Sequence, residues 1–205
     1  MKTMYIGSGD VKALLMKRDT AGHLALLQRF VSGVKPYYNA LASPIDALRT
    51  GAILEGRFAE ILPLDYYPQY VVTSPEMDVF KCSLDFAELS GGNVIDFIEL
   101  KTVNFSDFLV IEGLRNAEQS EQLTYIKKFH KDYYNQIQEQ LYCTKLDSAQ
   151  MVFLAVYSYN DEENYSREIK PNEWLSIRVP RDEQAIAKIL EAGQIFQTIK
   201  NHYTN

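Results

Sequence analysis

The run Ala149–Tyr157, AQMVFLAVY, constrains the fold of this chain more than any other stretch. Side chains on a strand alternate between two faces, and here both faces are apolar. Such a strand has to be covered from both sides, which calls for a sheet sandwiched between helices. The run is too short to cross a bilayer, and no other apolar run reaches the roughly 18–20 residues that do. The opening MKTMYIGSGD has no long apolar core and no small-residue cleavage site, so a secretory signal is not expected. Cys82 and Cys143 are too few for a disulfide framework, a zinc site or a four-cysteine iron–sulfur cluster. They read as small core residues in a reducing, cytoplasmic setting.

The other elements follow from periodicity and capping. Ser8-Gly9-Asp10 starts a helix with Val11, Leu14 and Leu15 as its stripe, and a second helix covers His23–Val31 before Ser32-Gly33. Pro36–Asn39 is a loop. Ser43-Pro44 signals a helix start, and Ile45, Leu48, Ala52, Glu55, Ala59 and Leu62 recur at steps of three and four. That spacing places Glu55 on or beside a buried face, with Gly51 one turn earlier. Pro63–Pro68 ends the helix. Gln69–Thr73 is a short strand, and Met77–Leu89 reads as one long strand or two. Asn104–Ser120 reads as a loop. Glu118–Lys145 reads as one long helix with the stripe Leu123, Ile126, His130, Tyr133, Ile137 and Leu141. Trp174–Val179 is a further strand, and Asp182 caps a last helix with the stripe Ile186, Ile189, Leu190, Phe196 and Ile199. The expected fold is an α/β sandwich, a central mixed sheet flanked by helices. One domain spans 1–205, with its core at about 43–157, N-terminal helices at 8–32 and a C-terminal strand and helix at 173–203.

The chemistry concentrates in Cys82–Val103, CSLDFAELSGGNVIDFIELKTV. Gly91-Gly92-Asn93 supplies the positive φ angles of a tight hairpin turn. On the second strand, Val94–Val103, Glu99 and Lys101 share one face while Ile98 and Leu100 point to a core. Asp85 stands on the partner strand. On their own, these residues also describe a surface ion pair on an exposed strand. Phosphodiester hydrolysis needs an activated water, charge neutralisation and a stabilised leaving oxygen, and one or two Mg²⁺ ions supply all three. Mg²⁺ takes hard oxygen ligands and keeps several waters. Asp85 and Glu99 offer two carboxylates, Glu55 a third, and the main-chain carbonyl of Leu100 another oxygen. Lys101 would sit beside the bound water and the phosphate. Asp78 and Asp96 are nearby rivals, with Asp96 on the opposite strand face from Glu99.

The ordered set Gly51-x-x-x-Glu55, Asp85, Glu99-Leu100-Lys101 and Gln136-Ile137-Gln138 resembles the PD-(D/E)XK nuclease superfamily. Within it, the pattern looks most like the lambda-exonuclease-like, or YqaJ-like, viral recombinases. Ile6–Asp10 also resembles the start of those proteins, and Gln138–Tyr142 fits the Gln-x-x-x-Tyr motif of related RecB-type nuclease domains. The resemblance implies a restriction-endonuclease-like core. It implies metal at Asp85 and Glu99 with a contribution from Glu55, Lys101 as catalytic lysine, and Gln136 orienting water or phosphate. Phe86 departs from the pattern, since the family usually carries glycine after the aspartate.

The resulting expectation is a Mg²⁺-dependent deoxyribonuclease, with Mn²⁺ as a possible substitute. By the resemblance it is a 5′–3′ double-strand exonuclease of phage-type recombination, partnered by a single-strand annealing protein and assembled as a ring trimer in the host cytoplasm. Arg115, Lys127, Lys128, Lys131 and Gln138 are the candidate DNA contacts. The lysine cluster reads equally as a solvated helix face, and the net charge of -6 sits awkwardly with a polyanionic partner. The alternatives are an endonuclease, a flap or single-strand nuclease, and a non-catalytic DNA- or protein-binding member of the same fold.

Overall fold

The computed structural model describes residues 4–33 and 40–204, so the loop expected at Pro36–Asn39 lies outside the described residues. Five strands, β1 (Tyr66–Thr73), β2 (Lys81–Ser90), β3 (Asn93–Asn104), β4 (Ser148–Val156) and β5 (Trp174–Pro180), stand in sequential order in one mixed sheet. β1, β2 and β3 form an antiparallel meander, β4 runs parallel to β3, and β5 is antiparallel to β4. A parallel pair needs a long crossover. Here it contains α4 (Phe105–Glu112), α5 (Gln119–Phe129) and α6 (Lys131–Thr144).

β4 is apolar on both faces, as its sequence requires. Met151 and Phe153 face the layer of α6 and α8 (Glu183–Thr204), together with α1 (Val11–Leu14) and α2 (Ala21–Ser32). Val152 and Leu154 face α3 (Asp46–Ala59), whose Leu54 and Phe58 complete the second core. The short α7 (Asp161–Ser166) flanks α3. The β2–β3 turn has φ 58° at Gly91 and 83° at Gly92, the conformation that glycine adopts without strain. Asp182 caps α8 through the N–H groups of Gln184 and Ala185, both at 3.1 Å.

Four expectations are corrected. The buried stripe of α3 is Thr50, Ile53, Leu54 and Phe58, whereas Ile45 and Leu48 are exposed. Two apolar stripes satisfy the spacing, and the bulkier one with Phe58 wins the core. Asn104–Ser120 contains α4, started by the Asn104 side chain accepting from the Asp107 N–H at 2.9 Å. The long helix is broken at His130, where φ is -126° and ψ is 39°. The His130 ring packs against Tyr125, Tyr133 and Phe153 there, a tertiary reason with no local breaker residue. β1 also begins earlier and includes Pro68, which an edge strand tolerates.

Candidate active site

The site forms where the sheet opens. β2 and β3 pair from the turn as far as Phe86 and Ile98, and then part. Asp85 is the next residue, and its Oδ2 accepts the Leu100 N–H at 2.8 Å, so a side chain replaces a ladder rung. Strict alternation would put Leu84 and Phe86 on one face, yet they lie in opposite cores. Asp85 is therefore turned into the gap between the strands. Within a strand, the N–H and C=O of one residue point to the same edge. The Leu100 carbonyl accordingly faces the gap as well. Opposite Asp85 on β1, Gln69 has a left-handed backbone, φ 51°. Such strain in a residue other than glycine clusters at functional sites.

Phe86 stands where the resembled pattern carries glycine. Neither Asp85 nor Phe86 needs a positive φ. The Phe86 ring packs on Phe58 of α3 with centroids 5.9 Å apart, so the larger side chain fills core rather than crowding the carboxylate.

Glu99 is 1% exposed and points at α6. Its Oε1 accepts from Lys101 Nζ at 2.6 Å and from Gln136 Nε2 at 2.5 Å, and its Oε2 accepts from Gln140 Nε2 at 2.5 Å. Lys101 Nζ also donates to Gln136 Oε1 at 2.9 Å, which orients the amide. The Tyr133 ring lies under the ammonium at 4.9 Å. Gln136 and Gln140 reach one carboxylate because residues four apart share a helical face. Glu55 comes from the opposite layer. Its Oε1 accepts from Gln69 Nε2 at 2.5 Å, and it is close enough to feel the charges of Glu99 and Lys101. Gly51, one turn earlier, lets α3 approach β3: a Cβ there would stand 3.4 Å from Thr102 Oγ1. Glu55, from the α3 side, and Asp85 and Glu99, from the strands, are thus near enough to act on one another's charge.

Burial, and then the Glu99 charge, push the Asp85 carboxyl well above the usual carboxylate range, with Lys101 opposing. Burial also raises Glu55, against the lowering effect of the Gln69 hydrogen bond. Burial would lower the Lys101 ammonium, but Glu99 and Asp85 outweigh it, so its pKa is raised and it stays a cation. One ammonium faces three carboxylates. Hard oxygen donors with excess negative charge suit a small divalent cation.

Next to this centre lies a cleft of about 470 Å³, lined by Gln136, Tyr133, Lys128, Lys131, Lys12 and the Ser8–Gly9 turn among others. Lys128 and Lys131, both expected to contact DNA, therefore border the site. Lys127 is tied to Asp182 at 3.0 Å. Arg115 is held by Glu112, at 2.6 Å, and by the Trp174 carbonyl, at 2.9 Å. Gln138 is corrected: it is 0% exposed, donates to the Pro180 carbonyl at 2.9 Å and accepts from the Asp182 N–H at 2.7 Å. Two residues on from Gln136 is more than half a helical turn, which aims it away from Glu99. The rivals are also spoken for. Asp96 binds Arg178 at 2.7 and 3.0 Å, and Asp78 binds Lys200 at 2.8 Å.

Sequence reasoning missed Gln140, although its four-residue spacing from Gln136 was a usable signal. It missed Gln69, which carries no such signal. It also missed Glu139, which lies fully buried beside Cys82 and Cys143. That group offers three donors sunk in the core, short of a closed four-ligand metal site.

No family model and no curated protein matches the chain. Solved structures do. An alkaline exonuclease, LHK-Exo, from Laribacter hongkongensis superposes with a TM-score of 0.62 at 18% identity, covering 98% of this chain and 90% of that one. The LHK-Exo complex with dAMP gives 0.61 at the same identity and coverage. A phage-related exonuclease from Haemophilus somnus 129PT gives 0.59 at 13% identity, covering 98% and 96%. The chain has the fold of these exonucleases, an α/β sandwich around a mixed sheet.

Proposed function

We propose that this protein is a divalent-metal-dependent deoxyribonuclease. The observation that carries the reading is the parting of β2 from β3, where Asp85 accepts the Leu100 N–H, Lys101 pairs with Glu99, and Glu55 lies near enough to feel the charges of Glu99 and Lys101. Asp85, Glu99, Glu55 and the Leu100 carbonyl would hold Mg²⁺ or Mn²⁺, which supplies charge neutralisation and a more acidic water when bound. Glu99 and Gln136 fix the Lys101 ammonium, so that it can orient the attacking water and neutralise charge on the phosphate. There Lys101 serves as a hydrogen-bond donor and a counter-charge to the phosphate. Gln140 holds the other oxygen of Glu99 and keeps that carboxylate from rotating. Lys128 and Lys131 at the cleft mouth suit the phosphates of the approaching strand.

Exonuclease polarity 5′–3′ on duplex DNA, a single-strand annealing protein as partner, a ring trimer and action in the host cytoplasm complete the proposal. Support for these is the fold shared with exonucleases together with the motif order. Among the described residues, no helix is long and apolar enough to cross a membrane. The test is digestion of linear duplex DNA, labelled at the 5′ or the 3′ end, with Mg²⁺. Progressive release of 5′ label, abolished in Glu99→Gln, is expected. Cleavage of closed circular DNA would redirect the proposal to an endonuclease, and no cleavage of any substrate would leave a binding protein.

A further inference from the structure

We infer that Gln69 is a positioning residue that sets Glu55 as the third metal-binding carboxylate. This inference rests on the proposed nuclease reading. Glu55 enters from α3, the layer opposite Glu99, and has to be held across the opening in the sheet. The Gln69 amide does this from β1. Its Nε2 donates to Glu55 Oε1 at 2.5 Å, and its Oε1 accepts from Ser83 Oγ at 2.9 Å. Both ends of the amide are engaged, so its orientation is set. Ser83 in turn presents its carbonyl to Gln140 Nε2 at 3.3 Å, and Gln140 holds Glu99. One chain of contacts therefore runs from Glu55 through Gln69, Ser83 and Gln140 to Glu99, around Asp85.

The backbone points the same way. Gln69 sits directly across from Asp85, between the pairs Pro68–Phe86 and Tyr70–Leu84. Its φ of 51° is a conformation that a strand residue with a side chain rarely adopts. An extended residue at this position would send its side chain straight to one face of the sheet, and the left-handed turn changes that direction. Gln69 is exposed and belongs to neither core, so the fold itself does not require this amide.

Outer-shell partners of ligating carboxylates typically change metal affinity 10- to 100-fold when removed. The experiment is calorimetric titration of the full chain with Mn²⁺, alongside thermal unfolding without metal. Gln69→Ala is expected to weaken Mn²⁺ binding about tenfold, or about 1.4 kcal/mol, while its unfolding midpoint stays close to that of the wild type. Gln69→Gly, which accepts the left-handed backbone without strain, is expected to lose the same affinity, because the amide is what matters. In a Glu55→Gln background, Gln69→Ala is expected to change nothing further. Wild-type affinity in both Gln69 variants, or a loss that persists in the Glu55→Gln background, overturns the inference. Glu99→Gln separates the two levels. If it abolishes Mn²⁺ binding while the Gln69 variants bind normally, only the role of Gln69 falls. If Glu99→Gln binds Mn²⁺ like the wild type, the metal-site reading falls and this inference with it.

Discussion

Glu139 gives the sharpest quantitative prediction. It lies on α6, 0% exposed, with Oε1 accepting from Cys143 Sγ at 3.2 Å and Oε2 without a partner. Burial pushes its carboxyl from the ordinary 4.5 up to about 8. The Cys143 contact lowers it a little, and the charges of Asp10 and Glu99 raise it further. The folded protein therefore holds a proton there that the unfolded chain releases above pH 4.5. Because the folded pKa is raised, the associated stability is fully present below pH 4.5 and is lost progressively up to about pH 8. A pKa difference of that size corresponds to an upper figure of about 5 kcal/mol, at roughly 1.4 kcal/mol per pH unit. Glu139→Gln keeps the shape, can still accept from Cys143 and removes the titration. Urea unfolding of both proteins at pH 5.5 and pH 8 checks this. The variant is expected to gain about 3 kcal/mol relative to the wild type between those two conditions, the share of the loss that falls in that window. All other groups are common to both proteins, so the difference isolates Glu139. Parallel stability curves across that range would refute the argument.

Three further outcomes follow from the same geometry. Lys101→Ala is expected to lower phosphodiester cleavage about 100-fold or more, with a circular dichroism spectrum like that of the wild type. Unchanged turnover on linear duplex DNA would remove Lys101 from the mechanism. Asp85→Asn is expected to raise the thermal midpoint of the metal-free protein by a few degrees, because it relieves a buried carboxyl crowded by Glu99, while abolishing Mn²⁺ binding. A destabilised variant would show that the attraction to Lys101 and the charge-assisted part of the Leu100 hydrogen bond outweigh the cost of burying the carboxyl. Gln138→Ala is expected to cost about 2–3 kcal/mol by leaving the buried Pro180 carbonyl and Asp182 N–H unpaired. Its affinity for DNA should match that of the wild type, and a loss of DNA binding with the fold intact would return Gln138 to the DNA contacts.

Where the chain's chemistry is local, the sequence is a sufficient guide. A Gly-Gly pair dictates the hairpin because its positive φ angles cost other residues energy. Period-two alternation then puts Glu99 and Lys101 together, and Lys101 Nζ pairs with Glu99 Oε1 at 2.6 Å. The doubly apolar β4 implied a covered sheet, and the covered sheet is present. Step-of-four spacing sets Gln136 and Gln140 on one side of a helix, a signal that names a shared face but not the carboxylate it meets.

The rest depends on contacts between distant segments, which periodicity does not encode. Which of two apolar stripes on α3 is buried depends on whether Phe58 meets Phe86 and Trp174. The break at His130 depends on an aromatic pocket completed by Phe153 from β4. Above all, the parting of β2 from β3 turns Asp85 into the gap and lets Glu55 reach in from the other face. No residue near Asp85 announces that opening. The carboxylates, the lysine and the glutamines, and the elements that carry them, are legible in the chain by itself. That they gather around the parted strands is a product of the fold, because like charges are held near one another by packing and by hydrogen bonds from Lys101, Gln136, Gln140 and Gln69.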